Sequence, residues 1–368
     1  MKMVGEKLRF PSEVLQSRID RLKDILIKRN LDAAVIRTLS SFIYFTGVKW
    51  LRPSLIVPVD GDPVVFLAKG EEELFRKYSI IKEIETFVEG GELMGKVSRY
   101  LRELGVRRVG MDFELERDSF ILFYMIFRNL NPTVEIHDLS EDIMNLRMIK
   151  DDIEISYIKA AAQKAKEAID YIKTQIKPGM SETEIAAELY NQLYKLGSEE
   201  PLVYINAGPH PRVHSEPLST EKVRSNSIVT IVVGADHYRY YANKSVTILI
   251  GNPPEIARRA YKAMEEAQEV AVTQSKTGRK FIEVMKEIDK VFSNHDVIKY
   301  RVVGYTHGVG LQVEETPITT IVPKHRFMEI KERMVLAMIH SPILIPGVGQ
   351  VKIEDTVLVS EDSCNKLT

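Results

Sequence analysis

Two pairs of long helical periods, each followed by β-prone runs, dominate the second half of the chain and limit what it can fold into. Apolar residues recur at helical spacing over about 153–174 and 181–195, and again over about 254–275 and 279–292. Strand-like runs follow the first pair at 201–206, 228–234 and 240–250. The run Val351, Ile353, Thr356, Val357, Leu358 and Val359 lies beyond the second pair. Helices layered on a sheet bury both kinds of apolar face, so the order predicts an α/β (α+β) architecture. No repeat at the level of residue identity accompanies it.

The first half predicts a mixed sheet with flanking helices. Ser12 is placed to cap a helix running to about Asn30, in which Val14, Leu15, Ile19, Leu22, Ile25 and Leu26 recur on one face. A strand in AAVIR follows. LIVPV and VVFLA, joined at Asp60-Gly61-Asp62, predict a hairpin, because Asp-Gly supplies the positive φ of such a turn. Helix over Leu93–Leu104, strand over Arg108–Met111, helix over Ser119–Arg128 and strand over Thr133–Ile136 complete the set. A boundary near Leu146–Asp152 divides the chain into 1–146 and 147–368. With 368 residues there is enough chain for about two domains with their own cores.

Composition narrows the class of protein. Hydrophobic residues at 44% and charged residues at 28% are ordinary for a globule and disfavour disorder. No apolar run approaches a membrane span, and MKMVGEKLRFP lacks the apolar stretch of a secretory signal, so a cytoplasmic protein without membrane contact is expected. Lys plus Arg at 51 balance Asp plus Glu at 52, and no basic stripe with interleaved aromatics occurs; nucleic acid is not an expected partner. The single cysteine, Cys364, excludes an internal disulfide and a thiolate zinc cluster.

Two short strings carry chemistry. HGVGLQVEETP (His307 to Pro317) sets an imidazole beside backbone without side-chain bulk, which suits a metal ligand or a close-approaching substrate. VKIEDTVLV (Val351 to Val359) embeds Glu354 in a β-prone run, where a rigidly aimed carboxylate is costly unless something pairs with it. Taken as isolated residues the plainer readings prevail: a lone HGxG carries little weight, and Glu354 reads as an edge-strand glutamate facing water.

In order with further segments, the strings resemble the pita-bread peptidase family of Xaa-Pro dipeptidases (prolidases), aminopeptidase P, methionine aminopeptidases and the metal-free relative creatinase. RIDRLKDILIKRNLDAAVIRTLSSFIYFTGV (Arg18 to Val48) is similar to the creatinase-type N-terminal domain. LRMIKDDIEISYIKAAAQKAKEAI (Leu146 to Ile169), IKPGMSETEIAAEL (Ile176 to Leu189), INAGPHPRVHSEPL (Ile205 to Leu218) and IVTIVVGADHYRYYANKSVTILIG (Ile228 to Gly251) are similar to successive parts of the catalytic-type domain. The resemblance implies a creatinase-type mixed-sheet domain followed by a pita-bread domain with two-fold pseudo-symmetric helices and a curved sheet.

Residue by residue, the resemblance also implies a dismantled site. Active members hold two metals with five ligands: two Asp on a strand pair, the HGxG His, a Glu before a Pro-Gly turn and a Glu in the final strand. Those places hold Val232, Asn243, His307, His340 and Glu354 here, the placement of His340 requiring a one-residue shift that leaves Ile339 as the other candidate. An amide offers one neutral oxygen and cannot bridge two cations as a carboxylate does. Glu314 replaces the second His of active Xaa-Pro members, seven residues after His307, and His214 matches the substrate-side His.

Three readings follow. One is a binding protein, lacking ordinary Xaa-Pro peptidase activity, that takes a peptide or small ligand in the old cleft. Another is a hydrolase with one divalent metal, Zn or Fe, at the ligand places held by His307, His340, Glu354 and Asn243, with Glu314 as general base. The third is metal-free chemistry resembling creatinase, through His214 and Glu354. An ordinary dinuclear Mn or Co site is not expected. The resemblance further implies a homodimer in which the loop Val48–Pro53, with Trp50 and Arg52, reaches a neighbouring cleft; a packed surface loop is the alternative. His210, His237 and Asp236 are expected in loops or turns, Tyr238, Tyr240 and Tyr241 in packing, and at least one of Glu314 and Glu315 in the cleft.

Overall fold

The computed structural model describes residues 10–49, 54–113, 119–213, 215–361 and 363–368. The chain falls into two compact units, Met1–Arg147 and Met148–Thr368.

In the first unit, helix α1 (Ser12–Lys28) buries Leu15, Ile19, Leu22 and Leu26, the stripe its spacing predicts. Ser12 is its first helical residue and not its cap; Pro11 holds the capping position, without a side-chain hydrogen bond, because its fixed φ already suits the turn into the helix. Then come β1 (Ala33–Ile36), α2 (Leu39–Thr46), β2 (Leu55–Pro58), β3 (Val64–Ala68), α3 (Glu72–Tyr78), β4 (Glu83–Phe87), α4 (Gly90–Glu103), β5 (Arg108–Met111), α5 (Ser119–Leu130), β6 (Glu135–Asp138) and α6 (Ser140–Met148). The six strands form one sheet in the order β4-β3-β2-β1-β5-β6. The β2–β3 hairpin pairs antiparallel with Gly61 at φ +104°, as Asp60-Gly61-Asp62 requires.

The second unit begins with α7 (Asp152–Gln175) and α8 (Glu182–Lys195), each started by a capping box, Asp151 with Glu154 and Ser181 with Glu184. Strands β7 (Leu202–Asn206), β8 (Ser227–His237) and β9 (Tyr240–Ile250) follow, then α9 (Glu255–Gln274) and α10 (Phe281–Asn294). The remaining strands are β10 (Thr306–Gly308), β11 (Glu315–Ile318), β12 (Val335–Met338), β13 (Ile343–Ile345), β14 (Gly349–Val351), β15 (Glu354–Val359) and β16 (Cys364–Lys366). The main sheet runs β11-β10-β12-β15-β9-β8-β7, with β16 on β15, while β13 and β14 pair separately.

Small residues bring the helices onto this sheet. Ala161, Ala162, Ala165 and Ala168 line the inner face of α7, and Ala257, Ala260, Ala263, Ala267 and Ala271 that of α9, all fully buried. Strand β8 continues through Asp236 and His237, three residues past the predicted end. Tyr238 and Arg239 make the turn at φ 49° and 64°, the left-handed pair a tight hairpin needs. Among the described residues no helix is long and apolar enough to cross a membrane.

Candidate metal centre

Five neighbouring strands, β10, β12, β15, β9 and β8, bring the residues of interest to one part of the sheet. His307 sits mid-β10 opposite Ala337 of β12. Glu354 opens β15 opposite Ser245 of β9, and Ser245 also pairs with Val232 of β8. Gly308 is required next to His307, because a Cβ there would stand 2.5 Å from the Thr316 carbonyl oxygen of the adjoining strand.

His340 follows β12 through a sharp backbone reversal. Ile339 adopts φ +58°, a left-handed conformation that a β-branched residue enters at a cost, and is itself packed in the apolar core. The reversal is secured by His340 N–H donating to the Tyr305 carbonyl at 2.9 Å. It leaves His340 lining the cavity, while Ile339, the other candidate, packs in the core.

The imidazoles and the carboxylate converge. His307 Nε2 lies 3.1 Å from His340 Nδ1 and 3.6 Å from Glu354 Oε1, and His340 Nδ1 lies 3.4 Å from the same oxygen. His307 Nδ1 is 2.8 Å from the Gly308 carbonyl; protonated there, it donates to that oxygen and leaves the Nε2 lone pair toward the cluster. Lys352 completes the group, with Nζ 2.8 Å from Glu354 Oε2 and 3.3 Å from His340 Nδ1.

These neighbours set the charges. Burial alone raises a carboxyl pKa, yet the Lys352 ammonium, with the two imidazoles beside it, holds Glu354 well below the carboxylate range. Burial, reinforced by Lys352 and His307, pushes His340 down to about 4 and keeps it neutral. Burial also opposes charge on His307, but the adjacent Glu354 carboxylate, the charge of Glu314 and the Gly308 carbonyl together raise it.

A cavity of about 220 Å³ opens onto the cluster, walled by Leu202, Tyr204, Val213, Val232 and Val313. Asn243 and Glu314 line it as well. The Asn243 amide nitrogen donates to the Val313 carbonyl at 3.0 Å, and its Oδ1 is buried without a hydrogen-bond partner. Glu314 Oε1 is likewise buried and unpartnered. Glu315 takes no part, since it is paired with Lys150 at 2.6 Å, both side chains almost fully buried. Asp236 accepts from Ser198 and from the backbone N–H groups of Glu199 and Glu200, a structural anchor. His210 is exposed. Tyr240 and Tyr241 are buried with their hydroxyls spent on Glu154 and the Glu200 carbonyl. His214, Trp50 and Arg52 lie outside the described residues.

Two features escaped the sequence reading. Lys352 was legible only as the residue two before Glu354, on the same side of an extended run. The buried Glu182 carboxylate, held by Arg212 at 2.6 Å and by the N–H groups of Ala207 and Leu218, ties down the segment between β7 and β8. Arg212 is thereby a structural residue.

The profile of metallopeptidase family M24 matches residues 156–361, more than half of the chain. This chain belongs to metallopeptidase family M24. The creatinase/prolidase N-terminal domain matches residues 18–149, ahead of it. An Xaa-Pro dipeptidase of Pyrococcus furiosus is 27% identical over 96% of this chain and 98% of its own length. The prolidase of Pyrococcus horikoshii superposes with a TM-score of 0.86 at 24% identity, covering 96% of this chain and 98% of that one. An X-Pro aminopeptidase from Thermotoga maritima does so with a TM-score of 0.80 at 20% identity, over 95% and 97%. The M24 chain therefore has a creatinase-like mixed-sheet unit and a pita-bread unit.

The family is metal-dependent, and the donors of this M24 chain can be tested against an ion. Ligands about 2.0–2.1 Å from a tetrahedral ion stand about 3.3–3.4 Å apart. The separations of 3.1, 3.4 and 3.6 Å among His307, His340 and Glu354 have that spacing. Among the described residues these three form the one group of His, Cys, Asp and Glu donors gathered this closely.

Proposed function

We propose that this M24 protein binds a short peptide or similarly small ligand in the pita-bread cleft, around at most one divalent ion, and does not carry out ordinary two-metal Xaa-Pro hydrolysis. The observation that supports this reading most directly is the pairing of one compact donor trio with an alkyl side chain, Val232, and an amide, Asn243, where the family pattern places two aspartates. His307 Nε2, His340 Nδ1 and Glu354 Oε1 would hold the ion. Zinc or iron suits two imidazoles and one carboxylate, and when bound such an ion polarises a carbonyl or a water molecule.

The chain's own groups define what enters. Val213, Val232 and Val313 give the cavity an apolar wall. The unpartnered oxygens of Asn243 and Glu314 accept hydrogen bonds, so a ligand bearing N–H groups satisfies them. A volume of about 220 Å³ accommodates a single residue or a small dipeptide.

A second reading, a single-metal hydrolase, is favoured by the position of Glu314 on the cavity wall and its electrostatic influence on His307. Glu314 would then take the proton of an attacking water. Metal-free chemistry through His214 is the third. A cytoplasmic homodimer whose Trp50–Arg52 loop reaches the partner's cleft belongs to the same proposal, and a monomer by light scattering would contradict that part. The deciding experiment sets titration calorimetry of Xaa-Pro dipeptides beside a hydrolysis assay in Mn²⁺ or Co²⁺. Binding without turnover is expected; turnover at two ions per chain contradicts the reading.

A further inference from the structure

Lys352 shares the coordination space of the proposed ion. Its side chain is 5% exposed, and its ammonium contacts Glu354 Oε2 at 2.8 Å and His340 Nδ1 at 3.3 Å. That same nitrogen faces His307 Nε2 and Glu354 Oε1. An imidazole nitrogen has a single in-plane lone pair, which can accept from an ammonium or bind a metal, but not both at once. We propose that Lys352 is a tethered cation that fills this cluster in the metal-free protein, and that a divalent ion binds only by displacing its ammonium from His340.

Each side of the exchange has a physical cause. A buried carboxylate is costly without a counter-charge, and Glu354 is fully buried; the ammonium supplies that charge when no ion is present. Once an ion sits between the histidines and Oε1, two cations lie within a few ångströms and repel strongly in a site of low dielectric. The four-carbon stem of lysine lets the ammonium withdraw toward Oε2 while staying paired. Lys352 therefore keeps the cleft organised without metal and lowers the affinity for metal.

This inference rests on the single-ion reading above. It is tested by titrating Zn²⁺ alone, in a competing chelator, into the full chain and into Lys352→Met, with thermal midpoints recorded for both. The variant should have a lower metal-free midpoint, bind zinc about tenfold tighter or better, and gain more in midpoint on zinc addition than the parent. If Lys352→Met does not fold, Lys352→Gln carries the same expectation for affinity. Equal or weaker zinc binding by the variant overturns the inference alone. Zinc uptake by neither protein overturns the single-ion reading, and the inference falls with it.

Discussion

Lys352 stands two residues ahead of Glu354, in the link from β14 to β15, and its ammonium holds Oε2 at 2.8 Å while Oε1 faces His307 and His340. One buried carboxylate thus faces the ammonium on one side and two imidazoles on the other. Glu354→Gln leaves Lys352 buried without its counter-charge, and should cost roughly 3–5 kcal/mol of stability in urea unfolding. An unchanged unfolding midpoint would show that the pair is not the anchor described here.

The adjacent glutamates should behave oppositely. Glu315→Gln breaks the buried pair with Lys150 and should destabilise by roughly 3 kcal/mol. Glu314→Gln loses no hydrogen bond at Oε1 and should change stability by less than about 1 kcal/mol, while altering dipeptide affinity in calorimetry. Reversed outcomes would move the cleft contact from Glu314 to Glu315.

Restoring carboxylates tests the reading of the lost ligands. Val232 and Asn243 both line the cavity. The double substitution Val232→Asp with Asn243→Asp should raise metal content from about one to about two ions per chain by elemental analysis. A ratio that stays at one, in protein with an unchanged far-UV spectrum, would mean that these positions do not face a second ion.

Asp355 gives a pH dependence with a definite sign. Burial raises its carboxyl, but Lys244 at 2.6 Å and Lys366 outweigh burial, so the folded pKa lies below the unfolded one. Between the two pKa values the unfolded chain binds the proton more readily, so the contribution is complete above the unfolded pKa, about 3.9, and fades as pH falls through the folded value. Asp355→Asn should therefore be less stable than the parent at pH 7, with the gap closing in acid below about pH 4. A gap independent of pH in urea unfolding would assign the loss to packing.

Much of the fold was legible because its helices are amphipathic. α7 and α8 were placed by their helical period alone; the capping boxes of Asp151 with Glu154 and Ser181 with Glu184, just ahead of them, went unread. α2 was not legible, because LSSFIYFT is buried on every side and has no polar face to set a period. α3, β4 and α6 were missed as well, and the strand expected at Thr133–Ile136 lies at Glu135–Asp138, where pairing with β5 fixes its register. The β8–β9 turn was misplaced because Tyr238-Arg239 lacks the usual Asn or Gly; aromatic packing with Tyr157 and His237 accompanies the left-handed backbone.

In the site, His307 and Glu354 were visible as motif residues. The placement of His340 depended on the reversal at Ile339, which no local pattern announces. Lys352 was invisible as a participant, because its role arises from strands that meet only in three dimensions.

The most direct test of the account is the metal content of purified protein after dialysis against a weak chelator. Calorimetry with Zn²⁺ gives the capacity of the same sample. The account predicts no more than about one zinc or iron per chain, lost in His307→Ala. Two ions per chain, or one retained in His307→Ala, would contradict it.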